Sequence, residues 1–94
     1  MIRVFKYHLR ITDEQDVLIE RFSRVLSVGV QNEGLYVWAL VDDKYEKAPT
    51  HFYIVGTGNK AGHLTESRPH MAKRFIGTVQ MPPFVWHVFV EQPE

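Results

Sequence analysis

Between the turn signals Asn32-Glu33-Gly34 and Asp42-Asp43-Lys44 runs the segment Leu35-Tyr36-Val37-Trp38-Ala39-Leu40-Val41. In an extended chain successive side chains alternate between two faces, so Leu35, Val37, Ala39 and Val41 point one way and Tyr36, Trp38 and Leu40 the other. Both sets are apolar, and a strand of that kind needs cover on both sides. The segment is expected to be a central strand around which the rest of the chain is built.

The remaining residues follow the same two-residue period. Phe5, Tyr7, Leu9 and Ile11 share one face of an N-terminal strand, with Lys6, His8 and Arg10 on the other. Leu26, Val28 and Val30 face away from Val25, Ser27 and Gly29, and Gly29 marks a bulge or a close backbone approach. The Gly-bearing loop Asn32-Glu33-Gly34 is of hairpin length, so this strand should pair antiparallel with the central one. His51–Val55, Phe75–Met81 and Phe84–Val90 supply further strands, the last apolar on both faces except at His87. The segment from Gln15 to Arg24 reads two ways. Thr12 and Gln15 have capping-box spacing ahead of a helical stripe, whereas Asp16-Val17-Leu18-Ile19-Glu20 suits a short strand, the reading preferred beside so much β pattern. Asp42 to Thr50, which carries Pro49, reads as an exposed loop, Asn59 to Lys73 as a long one, and Glu91 to Glu94 as an acidic tail. The expectation is a single all-β domain over residues 1–94: an antiparallel sandwich or barrel of six to seven short strands, with at most one short helix.

The 94 residues bury only roughly 60–65% of their unfolded surface, a margin that a partner subunit often widens. Eleven basic and eleven acidic residues cancel, which argues against nonspecific nucleic-acid binding. Without cysteine there is no disulfide, no thiolate nucleophile and no Cys-based zinc site. No stretch approaches the roughly 18 apolar residues of a membrane span, and the N-terminus lacks a signal-peptide core, so the expected location is the cytoplasm.

Chemistry-bearing motifs are sparse. Gly56-Thr57-Gly58-Asn59-Lys60 lets backbone N–H groups approach an anion, but Ala61-Gly62 follows where a phosphate loop needs Ser or Thr leading into a helix. A strand-ending turn is the plainer reading. The five histidines lack the spacing of a metal site, no cofactor is implied, and His87 reads as a hydrogen-bonded strand residue. Between Asn59 and Arg74 the cations Lys60, Arg68, Lys73 and Arg74 outnumber Glu66. The residues selected as a partner or anion surface are Gly58, Asn59, Lys60, His63, Arg68 and Arg74. Asp13-Glu14 and Asp42-Asp43 sit at turns, where Asp bonds backbone groups, and no Gly-x-Ser-x-Gly elbow occurs, so no catalytic residue is assigned. Tyr36, Trp38 and Trp86 are the aromatics selected for an interface: two strands apolar front and back leave an outer face for a second copy or a partner protein.

Lys6-Tyr7, Ile11-Thr12-Asp13, Leu26-Ser27-Val28, the run from Leu35 to Asp42, Gly56-Thr57-Gly58, Ile76-Gly77-Thr78-Val79-Gln80 and Val85-Trp86-His87-Val88-Phe89 together resemble a family of small bacteriophage and prophage proteins catalogued as a domain of unknown function. The likeness spans nearly the whole chain, and the loop from Asn59 to Lys73 is longer than the family pattern. The resemblance implies phage origin and supplies no catalytic residues. The expected role is a homo-oligomeric binding protein that inhibits or modulates a host defence or regulatory protein. A nucleotide-sequestering protein and a structural virion component are the alternatives.

Overall fold

A computed structural model describes residues 1–94. Seven strands follow in order: β1 (Ile2–Leu9), β2 (Glu14–Glu20), β3 (Arg24–Gln31), β4 (Gly34–Asp42), β5 (Lys47–Gly56), β6 (Met71–Met81) and β7 (Phe84–Pro93), with one 3-10 turn at Gly62–Thr65 before β6. They form a three-stranded sheet ordered β1-β4-β3 and a four-stranded sheet ordered β2-β5-β7-β6, every neighbouring pair antiparallel. The two sheets face each other as an open sandwich. No helix is long and apolar enough to cross a membrane.

The run from Leu35 to Val41 is β4, between β1 and β3. Leu35, Val37, Ala39 and Val41 are buried and meet Phe52, Ile54, Val79, Val88 and Val90 of the other sheet in the core. The opposite face departs from the expectation of cover on both sides: Tyr36 and Trp38 are only half-buried and Leu40 is 42% exposed. The β3–β4 hairpin turns through Asn32 and Glu33, both at positive φ (50° and 65°), the geometry that matches strand twist in a two-residue loop.

Periodicity misplaced several boundaries. The segment after Gln15 is strand, and the Thr12–Gln15 spacing serves a corner: the Gln15 amide donates to Arg10 O (2.7 Å) and Thr12 Oγ1 (3.1 Å) and accepts from Arg10 N (3.0 Å). The bulge in β3 lies between Val25 and Ser27, which puts Val25 on the core side with Val28 and Val30. Gly29 instead makes room for the Trp38 ring, which would lie 3.3 Å from an added Cβ. Strand β5 begins at Lys47, inside the expected loop. Pro49 is tolerated because it pairs with Leu18 at a site that exchanges no backbone hydrogen bonds, and the ladder to β7 starts only at His51. Strand β6 begins at Met71, so the long loop is shorter than expected. Strand β7 runs to Pro93, and Glu91 and Gln92, expected in a tail, are buried strand residues.

The sandwich has two unlike rims. Where β3 lies beside β6, Arg74 Nη2 donates to Val25 O (2.7 Å) and to Gln92 Oε1 (3.0 Å), while the Gln92 amide also accepts from Val25 N (3.1 Å) and donates to Ser23 O (3.0 Å). Val28 presses onto Gly77, where a Cβ would come within 2.7 Å of Val28 Cγ1. At the opposite rim β1 and β2 are tied by the Gln15 corner and by Tyr7, whose hydroxyl donates to Glu20 Oε1 (2.5 Å). Burial first, and then the Glu20 carboxylate, holds the Tyr7 phenol well above its ordinary pKa.

Candidate functional site

The outward face of the four-stranded sheet is ordered in rows. Cross-strand register places Asp16, His51, Glu91 and Lys73 side by side, so that acid and base alternate across all four strands. The next row is Glu14, Tyr53, Phe89 and Phe75. The His51 ring lies between two carboxylates, Nδ1 at 2.7 Å from Asp16 Oδ1 and Nε2 at 2.8 Å from Glu14 Oε1. Both nitrogens then need protons. Partial burial of the ring opposes charge, but the two hydrogen bonds outweigh it and raise the pKa.

The loop from Thr57 to His70 folds over this face. Arg68 pairs with Glu91 through Nε and Nη2, both at 3.2 Å, and the Tyr53 hydroxyl donates to Glu91 Oε2 (3.3 Å). Lys73 Nζ donates to His63 O (2.6 Å) and lies 5.0 Å from the Tyr53 ring centre. Burial and the Glu91 charge raise the Tyr53 pKa. Beside the strap an open groove of about 730 Å³ is lined by residues including Asp16, Arg21, His51, Arg68, Lys73 and Glu91.

The residues selected from sequence separate into several places. Gly58, at φ +87°, is the third residue of a turn closed by Asn59 N donating to Gly56 O (3.0 Å), as a type II turn requires. Asn59, Lys60 and His63 line one pocket of about 440 Å³, but Asp13 and Glu14 form its other wall, which disfavours an anion there. Arg68 is committed to Glu91. Arg74, next to Lys73 in β6, points to the core side and seals the β3 rim, so it does not join Arg68; burial first, and Arg24 second, lowers its pKa. Both ring nitrogens of His87 are satisfied, 2.7 Å from Thr57 Oγ1 and 2.9 Å from Thr78 Oγ1. Trp86 faces the core over Gly56 and stacks on Phe84, centroids 5.3 Å apart, far from the other selected aromatics. Sequence reasoning placed Glu91 and Gln92 in a tail and read Gln15 only as a capping-box partner of Thr12, where the structure makes it the corner between β1 and β2. The signal for Gln92 was its place in the alternation after Val88 and Val90.

Tyr36 and Trp38 lie on the outward face of the three-stranded sheet, the opposite side of the molecule from the loop strap. Register sets Val4 beside Leu40, Lys6 beside Trp38 and His8 beside Tyr36. Ile2 and Val4 are 61% and 55% exposed, and with Leu40 they form an uncovered apolar strip. Lys6 Nζ lies 4.7 Å from the Tyr36 ring centre and donates to Gln31 Oε1 (2.7 Å).

No curated protein and no solved structure matches this chain significantly. A family model does, over residues 1–94. The chain belongs to the family described as domain of unknown function DUF7352.

Proposed function

We propose that this is a small binding protein without catalytic action, encoded by a phage or prophage, that docks on a host protein and modulates a defence or regulatory system. The observation that carries the reading is the strip of Ile2, Val4 and Leu40 beside Trp38 on the outward face of the three-stranded sheet. Contiguous apolar surface of this kind, flanked by Lys6 and Arg24, suits a partner with an apolar centre and an acidic margin. A half-buried tryptophan at its end, Trp38, supplies the kind of anchor that dominates binding energy. The nucleotide-sequestering reading draws no support from the geometry, because Lys60 shares its pocket with two carboxylates.

The test is paired affinity capture from host lysate with the unaltered chain and with Leu40→Asp. A protein retained by the first and lost with the second supports the reading. Identical captures, or none, refute it.

A further inference from the structure

We infer that the four-stranded sheet carries a second binding site, a trough where β5 and β7 part, and that it takes an extended peptide bearing a carboxylate. The parting has a cause in the sequence. Thr57 N donates to Val85 O and Ile54 N to Asp13 O, so the odd-numbered residues of β5 turn their backbone groups to β7 and the even-numbered ones to β2. The ladder to β7 ends at His51 and Glu91. The next pair to exchange hydrogen bonds would be Pro49 and Pro93, and neither has an N–H to donate. Beyond that point β5 keeps only β2 as a neighbour, and β7 keeps only β6. The carbonyls of Lys47 and Pro49 and the N–H of Lys47 are left facing the gap.

Two adjoining hollows, of about 730 and 440 Å³, share Arg21, Ala48, Pro49, Met71 and Glu91 and so form one trough along this gap. A free strand edge is completed by the main chain of an added strand. A peptide lying antiparallel beside β5 donates to Lys47 O and Pro49 O and accepts from Lys47 N. The surrounding side chains set its charge. Every carboxylate lining the trough is engaged inside the fold: Asp16 by His51, Glu91 by Arg68 and Tyr53, and Glu20 by Tyr7. Two of the cations lack an anion. Arg21 is exposed, with its backbone N–H on Glu46 O and its guanidinium unpaired, and Lys73 Nζ rests on the neutral carbonyl of His63. The guanidinium fork of Arg21 matches a carboxylate. In the smaller hollow Phe22 is 84% exposed and held at φ +62°, a left-handed backbone that a residue with a Cβ adopts at a cost. It meets Tyr45 edge-on, ring centres 4.9 Å apart, and the pair offers an apolar side chain of the peptide a place to pack. The trough belongs to the four-stranded sheet and stands apart from the strip of Ile2, Val4 and Leu40 on the other sheet.

Panning a display library of random nine-residue peptides on the full chain tests the inference. Enriched peptides are expected to carry Asp or Glu among β-branched residues. Fluorescence anisotropy with a labelled synthetic copy of the leading peptide supplies the affinities. Arg21→Glu weakens binding about tenfold, and a peptide with Lys in place of the acidic residue recovers the loss. Lys60→Glu, outside the trough, leaves the affinity unchanged. Methylating the peptide's backbone nitrogens one at a time weakens binding roughly fivefold at every second position, the period of a strand bonded along one edge. No enrichment, or enrichment of peptides without acidic residues, overturns the inference. So does an Arg21→Glu chain that binds as the native one does, or a methylation scan without the two-residue period.

Discussion

The two rims of this sandwich are both made of edge strands, yet one is tied by a shared side-chain network at the start of β3 and the other is crossed by only two separate contacts. At the β3/β6 rim, one arginine and one glutamine satisfy the backbone groups of Val25 and Ser23, and a glycine admits Val28. At the β1/β2 rim only the Gln15 corner and the Tyr7–Glu20 hydrogen bond cross the gap, and the strand edges beyond them carry unpaired backbone groups beside charges of opposite sign. Buried polar groups that share partners rigidify a seam, whereas exposed charges on a bare edge select what is allowed to join it.

The largest effect expected from breaking this contrast is at Gly77. Gly77→Val forces a side chain into Val28 at a residue with φ +155° and should cost about 3 kcal/mol, or roughly 12–20 °C in melting temperature by calorimetry. Next comes Gln92→Leu. It strands the Val25 N–H and the Ser23 carbonyl and should cost about 2 kcal/mol in urea unfolding, with an unchanged denaturant slope. A smaller effect belongs to the open side, where His51 links β2 to β5. Its folded-state pKa is raised, so its contribution is fully present below the ordinary histidine value of about 6.5 and is lost as pH rises through the raised value. Melting temperature should therefore decline over that window, and His51→Gln should flatten the decline; an unaltered profile would count against the clamp. Smallest is Lys6→Glu, which should alter unfolding free energy by no more than about 0.5 kcal/mol, since the hydrogen bond of Lys6 to Gln31 is solvent-exposed and its contact with the Tyr36 ring lies on the outward face. A large loss there would mean that the open rim is structurally finished after all.

The architecture was legible where apolar residues alternate. Leu35–Val41 could only be an inner strand, and the Asn32–Glu33 turn fixed its hairpin with β3. What stayed hidden were strand ends made of polar residues. Glu91 and Gln92 extend β7, but their partners Tyr53, Arg68, Val25 and Arg74 lie far away in sequence, and a pattern that counts apolar residues cannot register them. Lys47–Thr50 was obscured likewise, since that part of β5 has a neighbour on one side only. The candidate surface was read as one patch because its cations are close in sequence. Consecutive strand residues face opposite ways, so Lys73 and Arg74 part company, and Trp38 and Trp86 end on different sheets facing different directions.

That placement of the two tryptophans has a practical side. One indole rests on Gly29 on the outward face of the three-stranded sheet, and the other lies over Gly56 on the core side of the four-stranded sheet, stacked on the exposed Phe84. Trp38→Phe and Trp86→Phe would leave a single emitter on one layer or the other, so fluorescence can follow each sheet of the molecule by its own light.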